Sequence, residues 1–272
     1  MHEILRHLPA GARVLDLGSG GSGSVGADQY PFLRFISLDY DLPRVQPGAG
    51  FVQGDAARLP FRDHSFAAVI ANHSLEHFSG LADALAEIGR VMQPDGSLFV
   101  SVPDAASLTD RIYRWIFNGG GHVNAFRSAE DLERLIATAT GLKCVGRRLL
   151  HSSLIFLDRD RLMCRAPRKL WLFANGRPWF VTGLTYGLRQ LDRILDTRSS
   201  VYGWAFYFGE LREPIETTPW TNVCVHCGTG HSAAALVSNE AVVPLFGGVR
   251  RYRCSSCWCW NLFTEDRHNG SM

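Results

Sequence analysis

The chain has 272 residues, of which 46% are hydrophobic, and a formal net charge of +2 at neutral pH. Such a chain is long enough for one large domain and a small one, and its near-neutral charge excludes a globally basic surface that recruits nucleic acid by charge alone. No apolar run reaches the roughly 18 residues that span a bilayer, and the first residues lack a signal-peptide pattern. We therefore expect a cytoplasmic protein with reduced cysteines.

The first predicted strand ends in an acidic residue that is followed by several glycines. Residues 14–23 read VLDLGSGGSG. Three apolar positions are typical of a buried parallel strand, and glycines directly after it let the backbone turn and approach a ligand closely. A strand-to-helix turn without a ligand is the alternative, so the interpretation depends on the strands that follow.

Three further apolar segments also end in polar residues. Residues 35–39 read FISLD, residues 51–55 read FVQGD, and residues 66–72 read FAAVIAN. Asp39 lies about 20 residues after the glycines, where a doubly wound fold places an acceptor for ribose hydroxyls. Because the carboxyl ends of strands line the ligand crevice of an open α/β sheet, these residues are expected to converge.

The connection between the glycines and the second strand is unusual. Residues 24–32 read SVGADQYPF, a segment too short and too rich in glycine and proline for a good helix. We expect one or two helical turns there, which leave fewer backbone N–H groups to point at a ligand.

These segments, with GDAARLPFRDHSFAAVIANHSLEHF at 54–78 and EIGRVMQPDGSLFVSVPD at 87–104, resemble the class I S-adenosylmethionine-dependent methyltransferases. The resemblance is greatest to the small-molecule methyltransferases that include quinone-biosynthesis enzymes, and it covers residues 1–158. It implies an α/β fold with a Rossmann-like doubly wound sheet and a reversed last strand. A nicotinamide dehydrogenase, the main alternative, has no counterpart of the Gly-Asp-Ala and Leu-Glu-His-Phe segments.

The resemblance also implies S-adenosylmethionine as the cofactor and a role for individual residues. Asp16, Gly18 and Gly20 would surround the methionine part, and Asp39 would bind the ribose hydroxyls. The other residues predicted to bind the cofactor are Asp55 and Ala56 at the adenine edge, together with Ser19, Tyr40 and Asn72.

Methyl transfer from a sulfonium needs little from the protein beyond alignment of the acceptor and exclusion of water. An oxygen acceptor would also need a base near its proton. His73 after the fourth strand and His122 after the glycine triplet 119–121 are the predicted catalytic residues. Asn72, Glu76 and His77 are further candidates for the base, and for His77 a structural role is favoured.

Helical periodicity appears in three places. Apolar residues from Leu81 to Met92 recur at helical spacing, with the Pro94–Gly96 turn predicted to end that helix, and a second helix is predicted over 108–117. Ser128 is predicted to cap a third helix that Gly141 ends. A strand is expected near residues 144–149.

Residues 158–200 are rich in basic and aromatic side chains and precede the predicted last strand at 202–208. They are interpreted as a helical insertion, either a simple hairpin or a lid that forms an apolar acceptor pocket or contacts a membrane surface. The methyltransferase domain is accordingly predicted at residues 1–215.

The segment 217–265 carries two CxxC pairs, Cys224 with Cys227 and Cys254 with Cys257. Four thiolates at this spacing can form a tetrahedral zinc site, and the segment resembles a zinc ribbon with strands at 234–237, 241–246 and 249–253. Cys259 is an alternative ligand to Cys257. A disulfide pair is the competing interpretation, which a reducing compartment disfavours.

Four functions remain open. The preferred one is methyl transfer to a small-molecule, sugar or lipid-linked acceptor, with peripheral membrane contact left open. The alternatives are methylation of RNA or protein with the zinc ribbon as recognition module, because residues 250–253 read RRYR; a non-catalytic interaction protein of the same fold; and a zinc hydrolase, for which no open three-ligand site is evident. The acceptor and the oligomeric state do not follow from the sequence.

Overall fold

The computed structural model of the chain describes residues 1–20, 29–42, 50–162, 166–215 and 217–266. Most of the segment 24–32, which was predicted as a shortened helix, lies outside these residues, as do Gly21 and Gly23. The described chain forms two compact units. The first comprises Met1–Asp104, Gly121–Arg148 and Trp204–Thr217, and the second comprises Ala105–Gly120, Leu149–Gly203 and the chain from Thr218 onward.

A seven-stranded sheet has the order β3-β2-β1-β4-β5-β7-β6. Its strands are β1 (Arg13–Leu17), β2 (Arg34–Asp39), β3 (Phe51–Gln53), β4 (Phe66–Asn72), β5 (Met92–Pro103), β6 (Cys144–His151) and β7 (Val201–Gly209). Strands β1 to β5 are parallel to one another. Strand β7 runs against β6, since Gly209 N donates to Lys143 O and Ser152 N donates to Ser200 O. The predicted Rossmann-like sheet with a reversed last strand is thus confirmed.

The central strands of the sheet are apolar because both faces are covered. Strand β1 buries every residue after Arg13, and β4 buries Phe66, Val69 and Ile70. Continuous apolar runs of this kind are typical of parallel strands that are buried on both sides. The carboxyl ends of β1, β2 and β4 therefore present their polar residues from a rigid base.

Two helices of the first unit, α1 (Leu81–Val91) and α3 (Ala129–Thr140), pack against each other, and α2 (Leu108–Ile116) belongs to the second unit. The predicted cap of α3 is present: Ser128 Oγ accepts from Asp131 N, and Gly141 ends the helix in the left-handed conformation. The predicted end of α1 is wrong. The helix ends at Val91 and β5 begins at Met92, so the Pro94–Gly96 segment lies within the strand.

In the described part of the insertion, the predicted helical hairpin is not a pair of α-helices. It contains a 3-10 segment at Arg168–Gly176, interrupted at Phe173–Asn175, and one long helix, α4 (Pro178–Leu195). Part of the insertion is core, because its apolar side chains share one buried cluster with residues from other segments of the second unit. The cluster contains Ile116, Leu154, Leu157, Leu170, Val181 and Val225.

The segment after Thr218 contains short strands and one short helix. These are β8 (Asn222–Val223), β9 (Gly230–His231), α5 (Ala233–Ser238), β10 (Val242–Phe246), β11 (Val249–Arg253) and β12 (Trp260–Leu262). The strand predicted at 234–237 is wrong: Ser232 Oγ accepts from Ala235 N and caps α5 instead. Within the described residues, no helix has both the length and the apolar character needed to cross a bilayer.

Candidate functional site

The glycine turn after β1 is hydrogen-bonded to the end of β2. Gly18 and Gly20 have positive φ angles of 67° and 60°. Gly18 N donates to Leu38 O at 2.8 Å, and Gly20 N donates to Asp39 Oδ2 at 2.8 Å. Asp16 and Ser19, on either side of Leu17 and Gly18, are buried. The structure therefore places the predicted glycines and the predicted ribose acceptor in direct contact.

Asp39 is held from both sides. Its Oδ1 also accepts from Asp41 N at 3.1 Å, and its main-chain oxygen accepts from Gly54 N at 2.9 Å. Tyr40, the next residue, is 74% exposed. The backbone bond to Gly54 connects the loop after β2 to the loop after β3, so the turns after the first three strands form one continuous edge.

The loop after β3 is itself stabilised locally. Asp55 is exposed, and its Oδ1 accepts from Ala57 N at 2.9 Å in a local turn. Ala56 is buried. The carboxylate of Asp55 thus lies at the protein surface, beside the turns after β1 and β2.

The end of β4 is tied to β5. Asn72 Oδ1 accepts from Ser101 Oγ at 2.7 Å, and His73 N donates to Ser101 O at 3.0 Å. His73 has a positive φ of 54°. Burial, reinforced by the charges of His122 and His77, lowers the pKa of His73 to about 4. Its imidazole is therefore neutral near pH 7.

A second group of candidate side chains is brought together by the fold and does not follow as a group from the sequence. Glu76, His77 and His122 each offer a ligand atom, and these atoms all lie within 4.8 Å of one another. We call these three residues the His–Glu cluster. The rings of His77 and His122 meet edge to face with centroids 5.0 Å apart. The sequence named each residue singly, but it contains no local signal that joins positions 76–77 to position 122.

Backbone contacts hold the two halves of the His–Glu cluster together. Glu76 O accepts from Val123 N at 2.8 Å and from Asn124 N at 3.0 Å. The Asn124 side chain donates to Leu75 O and Phe78 O, both at 2.8 Å. Burial lowers the pKa of His77, although its hydrogen bond with Gly121 O opposes that shift.

The four predicted cysteines form a second cluster, in the second unit. The Sγ atoms of Cys224, Cys227, Cys254 and Cys257 lie within 4.8 Å of one another. The Cys224–Cys257 and Cys227–Cys254 pairs are each 3.6 Å apart, far beyond a disulfide bond of about 2.05 Å. Cys259 is not in the group, so Cys257 is the cysteine that completes it.

Polar groups surround these sulfurs. Asn261 Nδ2 donates to Cys224 Sγ at 3.2 Å, and His231 Nε2 lies 3.3 Å from Cys254 Sγ. An amide N–H that donates to a cysteine sulfur, as that of Asn261 does, favours the thiolate form. The distances therefore suit four sulfurs gathered about a common centre better than two cystines.

Comparison with known proteins gives the family. A methyltransferase-domain family model matches residues 15–100. A malonyl-[acyl-carrier protein] O-methyltransferase from Methylococcus capsulatus is 34% identical over 143 residues, which cover 48% of this chain and 52% of that protein. A demethylmenaquinone methyltransferase from Deinococcus radiodurans is 32% identical over 174 residues, covering 59% of this chain and 67% of that protein. The match to the first of these relatives thus spans only about half of its length.

Solved structures share the fold. The Bacillus subtilis YcgJ protein aligns with a TM-score of 0.50 at 19% identity, over 77% of this chain and 95% of its own. An Archaeoglobus fulgidus S-adenosylmethionine-dependent methyltransferase aligns with a TM-score of 0.50 at 18% identity, over 76% of this chain and 89% of its own. At these identities the likeness concerns the fold alone. The chain is 32% identical to the D. radiodurans enzyme over two thirds of that enzyme's length, and it shares the fold of the solved structures. It therefore belongs to the class I S-adenosylmethionine-dependent methyltransferases.

Proposed function

We propose that this protein transfers a methyl group from S-adenosylmethionine to a small-molecule or lipid-linked acceptor. The observation that carries the proposal is the contact of Gly20 N with Asp39 Oδ2 at 2.8 Å, which joins the glycine turn to an acidic strand end at one edge of the sheet. The names of the relatives, which include enzymes acting on a quinone precursor and on a carrier-bound acyl group, support this class of acceptor.

The residues at this edge fit the cofactor. Among the described residues, a Cβ built on Gly20 would meet no atom within 4 Å, so none of them fills the space beside that backbone. An ionised carboxylate accepts without donating, and Asp39 can therefore receive the two ribose hydroxyls. Asp16, Gly18 and Ser19 would contact the methionine part, and Tyr40, Asp55, Ala56 and Asn72 would line the rest. The bound cofactor supplies the activated methyl group.

The two predicted catalytic histidines differ in what they can do. A pKa of about 4 makes His73 a poor proton acceptor near neutral pH. We assign it a positioning role at the end of β4. His122 is only partly buried and contacts the ring of His77, so it is the histidine that we place beside the acceptor.

Methylation of RNA or protein is a second candidate, supported by one surface feature. The Arg251 guanidinium stacks 4.2 Å from the Trp260 ring, and Arg253 lies over the rings of Trp258 and Trp260. Aromatic and arginine groups of this kind bind unstacked bases or acidic chains. A methyl-transfer screen separates the two candidates: label in lipid or small-molecule fractions supports the first, and label in RNA or protein fractions supports the second.

The cofactor part is tested by titration calorimetry with S-adenosylhomocysteine. Charged hydrogen bonds contribute about 1.5 to 3 kcal/mol, so Asp39→Ala should weaken binding tenfold or more, and Asp39→Glu should lose less. Asp41→Ala is the matched control, because it removes a neighbouring carboxylate and keeps the backbone donor. Absence of heat with the wild-type protein at millimolar ligand would refute the proposed activity and favour the non-catalytic interpretation.

We also propose that the cysteine cluster binds one structural zinc ion as a zinc-ribbon-like domain. A tetrahedral site with Zn–S bonds of about 2.3 Å has sulfurs roughly 3.8 Å apart, close to the 3.6 Å separations of the two sulfur pairs. Zinc there would hold the two CxxC loops, which adjoin the short strands β8, β9, β11 and β12. The domain boundaries predicted from the sequence, 1–215 and 217–265, remain predictions.

Elemental analysis of the purified protein tests the zinc proposal. About one zinc per chain should be held by the cysteine cluster, and Cys224→Ser should lose it because three sulfurs bind far more weakly than four. Cys259→Ser should keep it, since that sulfur lies outside the cluster. Free thiols without zinc in the wild-type protein would contradict the site.

A further inference from the structure

The His–Glu cluster lies next to the turns after β1, β2 and β3, where we propose that the cofactor binds. A Cβ on Gly18 would lie 2.5 Å from Ser74 Cβ, so the loop that carries Glu76 and His77 packs directly against the glycine turn. The charge of Asp39 acts on His77. The cluster therefore occupies the side of this edge formed by the loop after β4.

The three side chains of the cluster carry donor atoms of the kinds that bind metal ions. Glu76 is 1% exposed, and its carboxylate lies within 4.8 Å of the ligand atoms of both histidines. The cluster thus brings together two imidazoles and one carboxylate. This combination binds Zn²⁺ and similar divalent transition ions and leaves coordination positions open. Metal–ligand bonds of about 2.0–2.2 Å would require these donors, now within 4.8 Å of one another, to close by roughly an ångström.

A second observation points to a ligand at this cluster. His77 Nδ1 lies 3.0 Å from Gly121 O, and a carbonyl can only accept, so Nδ1 carries the proton and Nε2 presents its lone pair. Metal-binding histidines are oriented in this way by a backbone carbonyl. Hydrogen bonds from Val123 N and Asn124 N to Glu76 O hold the segment that carries His122 beside the segment that carries Glu76 and His77.

We propose that Glu76, His77 and His122 bind a divalent transition-metal ion of the Zn²⁺ type, with open positions for an acceptor oxygen. Metal binding itself does not depend on the proposed methyl transfer. The orientation of an acceptor oxygen by the metal does rest on that proposed function. The site is separate from the cysteine cluster, which belongs to the other compact unit.

The experiment is calorimetric titration of Zn²⁺ into protein that has been dialysed exhaustively and retains whatever zinc its cysteines hold. The wild-type protein should bind one further zinc per chain. Glu76→Gln, which conserves side-chain size, and His122→Ala, at a partly exposed position, should each weaken this binding at least tenfold, as should His77→Ala. Circular dichroism and the thermal midpoint show which variants are folded, and the comparison uses those.

His64→Ala is the matched control. His64 also places Nδ1 against a backbone carbonyl, that of Met92 at 2.9 Å, but it precedes β4 and the cluster follows it. This variant should bind the further zinc within twofold of wild type. No further zinc in the wild-type protein, or unchanged affinity in folded Glu76→Gln and His122→Ala, would overturn the proposal. Cofactor is absent from this titration, so failure of the metal site and failure of methyl transfer are distinguishable.

Discussion

The two glycines of the first turn, Gly18 and Gly20, differ in what surrounds them in the folded chain. Both have positive φ, which disfavours any side chain. At Gly18 a Cβ would overlap Ser74 Cβ at 2.5 Å, whereas at Gly20 it would meet no atom of the residues that the structure describes within 4 Å. The sequence predicts a close-approach turn from the glycine pattern, but it does not indicate which glycine admits the loop after β4.

We therefore predict unequal costs for two matched substitutions. Gly20→Ala adds only backbone strain, about 1 kcal/mol, and Gly18→Ala adds overpacking against a buried neighbour, about 1–3 kcal/mol more. Urea unfolding measures both free energies. Ser74→Gly in the Gly18→Ala background should recover part of the loss. Equal destabilisation by the two alanines would show that Ser74 is not the obstacle.

Site residues were predictable from the sequence where a local motif or spacing marks them. Asp39 follows from a strand end at a known distance from the glycines, and the four cysteines follow from two short local motifs. The His–Glu cluster does not, because His122 joins Glu76 and His77 through hydrogen bonds between chain segments more than forty residues apart.

Elements were predicted well where local signals agree and poorly where they compete. The cap and the terminal glycine of α3 are both local, and both are confirmed. The segment 233–238 is apolar enough for a strand, but Ser232 caps it and a run of alanines favours the helix. At Pro94–Gly96 the turn-forming residues lie within β5, because pairing with β4 begins at Met92.

The insertion shows how long-range packing changes an interpretation. Leu170 and Val181 are buried in one cluster with Ile116 and Val225, so these parts are core and cannot be removed as a separate lid. The exposed aromatics are different: Trp171 is 73% exposed and Trp179 is 66% exposed. A lid or membrane role therefore remains a proposal for these exposed side chains alone, and substitution there tests it better than deletion of residues 158–200.

At the scale of the molecule, the strand order was predictable and the division into units was not. The order of the sheet follows from successive strand ends and the resemblance to a known fold. The second unit gathers residues 105–120 and 149–203 with the cysteine segment. Such grouping depends on contacts between distant segments, for which periodicity and spacing give no signal.

Two partly buried histidines make the free energy of unfolding sensitive to acid. Burial, with the charge of Arg189, lowers the pKa of His151 to about 4, and burial lowers that of His73 to about 4. In the unfolded chain a histidine has a pKa of about 6.5. Between these values the unfolded state binds more protons than the folded state, so stability falls as the pH falls from about 6.5 toward 4.

His151→Gln isolates one of these contributions. His151 Nδ1 lies 2.9 Å from Ser200 Oγ, and a glutamine amide can replace that hydrogen bond without titrating. Between pH 7 and pH 5 the wild-type protein should lose about 2 kcal/mol more of its free energy of unfolding than the variant does. Urea unfolding at several pH values measures the difference, and the cysteine cluster, present in both proteins, cancels from it. Parallel pH profiles would show that His151 is not held neutral by burial.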